Sequence, residues 1–292
     1  MESYTVRCKN ASLCTDLFGA QLNSFCIGNR QYIWQRNQNV WRESAPVLFP
    51  IIGELKGEGK TTVIDGKAYH MPIHGFAKRS AFKVAESDES SVTLMLESQE
   101  ETLKSYPFSF ELLVKFTVTE NGFSQTFTVK NKDEKDMPFF IGAHPGFCVP
   151  MFEGDCFEDY TVRFEKTETV GSYRIDEDGL VNEQVTEPVF NGNEIPLSRK
   201  LFHKGALVFE GLKSRSVSLL NKNGHGVKMD FDGFDYFGIW QMPDVEPDYL
   251  CLEPWTGMND CYGEDGVYAH KRGCKTLKSG EQFSVGYTVT AV

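Results

Sequence analysis

Apolar and polar residues alternate along most of the chain, and this alternation constrains the fold more than any other feature of the sequence. It runs longest over residues 108–119 and 123–130. Successive side chains of a β-strand point to opposite faces of its sheet, so a period of two residues predicts strands with one buried face. Shorter segments of the same kind are residues 4–8, 31–34, 91–96, 160–164, 216–220, 226–231 and 283–290. Helical patterns are limited to residues 97–105 and, as a second candidate, 155–159.

Three Asx-Gly dipeptides between such segments indicate hairpins. They are Asp65-Gly66, Asn121-Gly122 and Asn223-Gly224. Such pairs favour positive φ at both turn positions, which matches the twist of the flanking antiparallel strands. We therefore expect a tight turn at each of these dipeptides.

The strand pattern predicts an all-β fold in a single domain over residues 1–292. The sequence contains no Pro-, Gly- or Ser-rich linker, no internal repeat and no low-complexity tract, and all-β sandwiches reach this length as one domain. With 40% hydrophobic residues and 23 Phe, the chain can bury a large core. We expect two large antiparallel sheets packed face to face, or a highly curved sandwich, with few short helices.

Charge and cysteine usage exclude several classes of function. The chain has 30 Lys and Arg against 41 Asp and Glu, and this net charge of -11 argues against a nucleic-acid or anionic membrane partner. No apolar run approaches the roughly 18 residues that span a bilayer, and the first residues have no apolar signal-peptide core, so we expect a cytoplasmic protein. The 8 cysteines include no C-x-x-C pair, and we expect reduced thiols, with a disulfide framework as the alternative.

Sequence motifs for common cofactors are missing. There is no G-x-x-x-x-G-K-[ST], no G-x-G-x-x-G after a strand, no G-x-S-x-G and no H-E-x-x-H. ATP, NAD and zinc are therefore disfavoured, and we expect neither a cofactor nor a metal site.

Three segments between predicted strands carry a His or a carboxylate beside Pro and Gly. His74 lies in P-I-H-G-F-A-K-R, His144 in F-I-G-A-H-P-G-F and Glu253 in Y-L-C-L-E-P-W-T-G. Pro145 favours an extended conformation at His144 and Gly146 permits an unusual turn, so the imidazole would have a fixed direction. The alternation before Glu253 places it at the end of a buried strand, where a carboxylate is costly unless it is paired or functional. Purely structural roles for the three residues are the alternative.

A His and a carboxylate can transfer protons at neutral pH without a cofactor. An imidazole near its protonation midpoint and a carboxylate that remains ionised form a competent acid and base pair. Trp240 and Trp255 can stack on the apolar face of a sugar ring, with core packing as the alternative for each. Solvated or structural roles are expected for the remaining histidines, His70, His203, His225 and His270.

Five segments together resemble the aldose 1-epimerase (galactose mutarotase-like) superfamily, in particular its shorter LacX-like branch. They are residues 44–53 (SAPVLFPIIG), the His74 and His144 segments, residues 237–240 (FGIW) and residues 251–257 (CLEPWTG). The resemblance covers nearly the whole chain, in the order and approximate spacing of the family. It implies a β-supersandwich fold and cofactor-independent interconversion of the α and β anomers of a free aldose.

The resemblance also implies roles for individual residues. It makes Glu253 the general base, His144 the general acid and His74 a second histidine that hydrogen-bonds the sugar. Lys78 lies where relatives commonly have a substrate-contacting Arg, and it keeps the charge but loses the bidentate fork of a guanidinium. The family often has Gly-Arg where this chain has Gly53-Glu54. In the segment 201–207, relatives tend to have Asp before Ala, whereas this chain has Gly205.

Two other functions remain open. A hexose-6-phosphate 1-epimerase would need a cationic cluster for the phosphate, and only Arg42, Lys78 and Arg79 are obvious candidates. A non-catalytic carbohydrate-binding protein of the same fold is the second alternative. In every case the expected partner is a small-molecule sugar, bound by a monomer or a homodimer.

Overall fold

The computed structural model describes residues 2–243 and 245–292, and Met1 and Asp244 lie outside this description. The described residues form 25 strands, one α-helix (α1, Glu100–Ser105) and four 3₁₀ turns (Ala77–Arg79, Phe157–Asp159, Arg199–Phe202 and Tyr268–His270). In chain order the strands are β1 (Ser3–Cys8), β2 (Ala11–Asp16), β3 (Leu22–Ile27), β4 (Arg30–Gln31), β5 (Val47–Leu48), β6 (Thr61–Ile64), β7 (Lys67–His70), β8 (Lys83–Ser87), β9 (Ser91–Glu97), β10 (Phe110–Thr119), β11 (Gly122–Asn131), β12 (Met137–Phe139), β13 (Gly142–Ala143), β14 (Gly146–Cys148), β15 (Tyr160–Phe164), β16 (Tyr173–Ile175), β17 (Val181–Asn182), β18 (Glu194–Pro196), β19 (Leu207–Glu210), β20 (Ser216–Asn221), β21 (Gly226–Asp230), β22 (Tyr236–Trp240), β23 (Tyr249–Trp255), β24 (Lys275–Leu277) and β25 (Gln282–Ala291).

Most of these strands belong to two large sheets. The first has nine strands in the order β18-β15-β20-β21-β25-β11-β10-β9-β8. The second has eight, in the order β17-β16-β19-β22-β23-β13-β5, with β14 paired to β23. Strand pairs within both sheets are antiparallel. A four-stranded sheet, β1-β2-β3-β4, and the pairs β12-β24 and β6-β7 complete the strand pairing of the described residues.

The two large sheets pack against each other through aromatic side chains. Phe164 of β15 approaches Phe209 of β19 and Phe237 of β22, with ring centroids 6.2 and 6.1 Å apart. Along β10, every second residue from Phe110 to Val118 is buried. The inner face of each sheet therefore supplies the core, which confirms the all-β class predicted from the alternation.

The predicted segments are strands in the structure, except residues 31–34. Strand β4 ends at Gln31, and Ile33 forms only an isolated bridge. The Gln31 side-chain oxygen accepts the backbone N–H groups of Phe25, Tyr32 and Ile33 at 3.0 to 3.1 Å. The side-chain amide thus competes with backbone carbonyls for these N–H groups and interrupts the regular ladder, so the prediction of a continuous strand over residues 31–34 is wrong. The predicted helical segments contain α1 and the 3₁₀ turn Phe157–Asp159.

Two of the predicted hairpin turns differ in geometry. Asp65 and Gly66 join β6 to β7 with φ values of +49° and +74°, which confirms the tight turn. The connection from β20 to β21 is longer, and of its Asn-Gly pair only Gly224 has positive φ. There the Asn221 side-chain oxygen accepts the N–H of Asn223 at 3.0 Å and stabilises the loop.

The hairpin of β10 and β11 is present, but its turn is shifted by one residue from the prediction. Thr119 pairs with Gly122, so Glu120 and Asn121 form the turn and Gly122 belongs to β11. Gly122 does not have positive φ, and a Cβ there would lie 2.2 Å from the carbonyl oxygen of Val289. This glycine is needed because β25 comes close, and not because of the turn.

Candidate active site

Strand pairing brings His144 and Glu253 together although they are distant in sequence. Both β13 and β14 pair with β23, and His144 lies in the short connection between β13 and β14. Strand β14 begins at Gly146, which faces Cys251. Because the strands are antiparallel, counting two residues back from Gly146 and two residues forward from Cys251 places His144 opposite Glu253. All residues of β23 are buried, so this position is in the interior of the second sheet.

The two side chains make a close polar contact at the edge of a cavity. His144 Nε2 lies 3.1 Å from Glu253 Oε2, and the residues are 8% and 1% exposed. Among the described residues, neither carboxylate oxygen of Glu253 nor Nδ1 of His144 has a hydrogen-bond partner of good geometry. Buried polar groups are nearly always paired, so this unpaired set is the expected feature of a site that binds a polar ligand.

Two glycines provide the space around the pair. Gly238 of β22 faces Glu253, and a Cβ on it would lie 2.8 Å from Trp255 Cη2. A Cβ on Gly146 would lie 2.8 Å from Trp41 Cζ3. The expected unusual turn at Gly146 is therefore wrong, because this residue is part of β14 without positive φ and its missing side chain accommodates an indole.

Burial determines the protonation of the pair. Desolvation, followed by the positive charge of Lys78, lowers the pKa of His144 to about 3. Desolvation raises the pKa of Glu253 well above its usual value. The expectation of a half-protonated imidazole beside an ionised carboxylate is therefore wrong for the free protein. Burial therefore favours a neutral imidazole at His144 and a protonated carboxyl at Glu253.

His74 is fixed by backbone atoms of Gly53. The backbone N–H of His74 donates to the Gly53 carbonyl at 2.9 Å, and the backbone N–H of Gly53 donates to the ring Nδ1 of His74 at 3.0 Å. His74 has φ of +64°, an uncommon conformation for a residue with a side chain. Burial first, and then Lys78 and His144, lower the pKa of His74, so its imidazole is neutral with the proton on Nε2. The rings of His74 and His144 are 5.6 Å apart and meet edge to face.

Lys78 is a buried cation, and its acidic partner among the described residues is Glu43. It is 7% exposed, and its Nζ lies 3.3 Å from both Oε1 and Oε2 of Glu43. Desolvation lowers the pKa of Lys78, and Glu43 opposes that shift. Both side chains line the same cavity as the His144–Glu253 pair.

Aromatic side chains form one wall of the cavity. Trp41 lies 5.2 Å from the His144 ring and stacks on Tyr249 at 5.1 Å. Trp240 meets both His144 and Trp41 edge-on, at 5.5 and 5.6 Å. Trp255 also lines the cavity but is only 2% exposed, so it presents little surface to a ligand. Stacking of a sugar on Trp240 and Trp255 remains a prediction.

The cavity has a volume of about 360 Å³, within the usual range for small-molecule sites. All six residues predicted to act on the sugar line it, namely His74, Lys78, His144, Trp240, Glu253 and Trp255. Gly205 lines it too, whereas Glu54 does not and instead accepts the N–H of Leu55.

Sequence reasoning missed four polar or aromatic residues of the cavity, Trp41, Glu43, Asp176 and Asn259. Asp176 and Asn259 are in loops and carry no motif. Trp41 and Glu43 directly precede the segment 44–53, so their closeness to that motif was the one available signal.

One group of donor atoms in the described residues is compact enough for a metal ion. Donor atoms of His144, Cys251 and Glu253 lie within 4.8 Å of one another. Burial raises the pKa of both the Cys251 thiol and the Glu253 carboxyl, and a metal would have to displace their protons. We assign no metal to this group.

The sandwich of two large antiparallel sheets is shared with proteins of known structure. The chain aligns with the galactose mutarotase related enzyme from Lactobacillus acidophilus with a TM-score of 0.91 and 31% identity, over 99% of this chain and 97% of that one. For a galactose mutarotase-like protein from Lactobacillus casei the TM-score is 0.92, with 29% identity over 99% and 100% of the two chains.

Sequence comparison agrees with the structural likeness. The model of the aldose 1-epimerase family matches residues 2–287. Protein LacX (chromosomal) of Lactococcus lactis subsp. lactis is 33% identical over 277 residues, which are 91% of this chain and 92% of the relative. The chain belongs to the aldose 1-epimerase family, which confirms the resemblance and supports a carbohydrate isomerase. Among the described residues, the only helices are too short to cross a bilayer.

Proposed function

We propose that this protein is an aldose 1-epimerase that interconverts the α and β anomers of a free aldose. The observation that carries the proposal is the contact of 3.1 Å between His144 Nε2 and Glu253 Oε2 at a cavity of about 360 Å³. Two groups that share one proton can give a proton to one oxygen and take a proton from another, which is what opening of a hemiacetal ring requires.

The free pair first has to become charged. Burial favours a proton on the Glu253 carboxyl, and His144 Nε2, 3.1 Å from Oε2, is the base that takes this proton when a sugar binds. The hydroxyl groups of the sugar supply polar partners for the carboxylate and the imidazolium that result. Glu253 is then the base and His144 the acid, which are the roles that the family resemblance implies.

Ring opening moves two protons and breaks one bond. Glu253 accepts the proton of the anomeric hydroxyl, whose oxygen becomes the carbonyl oxygen. The bond between C1 and the ring oxygen breaks, and His144 protonates the ring oxygen. Rotation of about half a turn around C1–C2 presents the other face of the aldehyde, and the reverse transfers close the ring with both residues restored.

Other cavity residues suit the remaining parts of a sugar. The Nε2–H of neutral His74 is a donor for a hydroxyl or for the ring oxygen. Trp41 and Trp240 provide apolar surface beside the catalytic pair, as an apolar sugar face requires.

The 8 cysteines are all free thiols, which supports the proposed cytoplasmic location.

Polarimetry of freshly dissolved α-D-glucose and α-D-galactose tests the proposal. The wild-type protein is expected to accelerate relaxation to the anomeric equilibrium, and Glu253→Gln and His144→Asn are each expected to slow catalysis by about 10²- to 10⁴-fold. His225→Asn, at an exposed residue in the β20–β21 loop, is the matched control and should retain the wild-type rate.

Two outcomes would favour the alternatives. Binding of an aldose without acceleration would indicate a non-catalytic carbohydrate-binding protein. Acceleration with glucose 6-phosphate but not with free glucose or galactose, in a coupled assay, would indicate a hexose-6-phosphate 1-epimerase.

A further inference from the structure

The described residues that line the cavity include more acidic than basic side chains. Of the described residues that line it, Lys78 is the only Lys or Arg, whereas Glu43, Asp176 and Glu253 are acidic. The Asp176 carboxylate accepts two backbone N–H groups and the Tyr262 hydroxyl, so it is held by its own loop. The carboxylate that faces the cation is that of Glu43.

The ammonium of Lys78 is placed where it could bind an anion, but its charge is already matched. Both Glu43 oxygens lie at the same distance of 3.3 Å from Nζ, so the ammonium is centred on the carboxylate. An anionic substituent of a sugar would have to displace Glu43 from Lys78 or remain beside an unmatched carboxylate. Either event costs binding energy, because like charges repel more strongly where water is scarce.

We propose that Glu43 determines the charge specificity of the cavity: by pairing with Lys78 it restricts the site to uncharged aldoses and excludes uronic acids and sugar phosphates. The inference rests on the proposed function for the reaction and adds the substrate class. Rejection by an unfavourable charge is an effective source of specificity, since it penalises the wrong ligand without tightening the right one.

Substitution of Glu43 should allow the cavity to bind anionic sugars. Glu43→Gln removes the negative charge, keeps the shape and leaves the Lys78 ammonium free for an anion. The ratio of kcat/KM for D-glucuronate to that for D-glucose should rise by at least about tenfold over wild type. High salt should reduce the gain, because screening weakens an attraction between charges. Some loss of activity on glucose is expected, since Glu43 lines the cavity.

The double variant Glu43→Gln/Lys78→Gln identifies the cause. If the gain comes from the released ammonium, it disappears when Lys78 is also neutralised. Glu58→Gln, which removes the same charge from an exposed residue outside the cavity lining, should leave the ratio at its wild-type value. A purely structural role of the ion pair would lower kcat/KM for both sugars equally.

An unchanged ratio in Glu43→Gln, or a gain that persists in the double variant, would overturn the inference. Titration calorimetry with D-glucuronate and D-glucose provides a second readout that needs no catalysis. If wild type and all variants fail to accelerate mutarotation, the proposed function is wrong, yet the calorimetric preference of Glu43→Gln still decides whether Glu43 sets the charge specificity.

Discussion

Gly53 and His74 are joined by two hydrogen bonds, one between their backbones and one from the Gly53 N–H to the imidazole. The second bond fixes both the ring orientation and the tautomer of His74. A backbone donor therefore positions a side chain of the cavity, and the geometry of residue 53 becomes part of the site.

Gly53→Ala should damage catalysis although Gly53 itself does not line the cavity. A Cβ at this position would lie 2.0 Å from Asn259 Cγ, and the backbone has φ of +70°. We expect kcat/KM in polarimetry to fall by at least about tenfold, which corresponds to a loss of only about 1.4 kcal/mol. Gly59→Ala is the control, because Gly59 has φ of +67° with open space around it. Equal losses in both variants would show that backbone strain, and not the displacement of His74, is responsible.

The pH profile of kcat/KM should be a broad bell. The active pair holds one proton, so activity falls when His144 gains a second proton at low pH and when the pair loses its only proton at high pH. Because the pKa of His144 is lowered to about 3, the acidic limb should lie far below the usual imidazole range. Lys78→Gln should move this limb to higher pH, because the Lys78 charge helps to lower that pKa. An acidic midpoint near 6.5 would contradict the buried, desolvated pair.

Glu253→Gln should be strongly impaired in catalysis but should resist alkaline destabilisation. The pKa of Glu253 is raised in the folded state, so the folded protein holds a proton that the unfolded chain releases above its own pKa of about 4.5. Stability from this group is complete below that pH and is lost as the pH rises toward the folded pKa. We expect the difference in unfolding free energy between variant and wild type to grow by at least about 1 kcal/mol from pH 5 to pH 9. Denaturant unfolding at both pH values measures it, and a constant difference would contradict the raised pKa.

Asp260 and Lys271 form a buried ion pair, and Asp260 hydrogen-bonds the loop that contains Gly53. Asp260 is 1% exposed, it pairs with Lys271 Nζ, and its Oδ2 accepts the Lys56 N–H at 2.9 Å. Its own N–H donates to the Glu54 carbonyl at 3.2 Å. Lys271→Met would leave a buried carboxylate unpaired, so we expect a loss of about 3 to 5 kcal/mol in denaturant unfolding.

The double variant Asp260→Asn/Lys271→Met is the comparison for that loss. It removes both charges and should be more stable than Lys271→Met alone. If the single and double variants were equally unstable, the loss would come from packing of the Lys271 stem and not from the uncompensated charge.

Much of the fold was predictable because strand alternation is a local property. The segments 108–119 and 123–130 became β10 and β11 nearly unchanged. The errors arose where a particular side-chain or backbone contact, and not the alternation, decides the local structure. The Gln31 side chain interrupts the strand predicted for residues 31–34. Gly122 is required by the close approach of the Val289 backbone and not by the turn. Neither contact leaves a periodic trace in the sequence.

The site was predictable to the extent that its residues lie in motifs. His74, His144 and Glu253 were each marked by flanking Gly and Pro, and the structure brings them to one cavity. Glu43 has no such marking, and its importance comes from its distance to Lys78, which only the folded chain defines. Protonation was predicted incorrectly for the same reason, since desolvation depends on the complete environment of His144 and Glu253.

Strand β23 is buried along its whole length, and Glu253 is paired within the middle of a sheet. The amide hydrogens of β23 should exchange with deuterated solvent only when the entire protein opens, in contrast to those of a lid or loop that carries a reactive group. Heating should then displace the Glu253 carboxyl only when the sandwich itself loses its secondary structure.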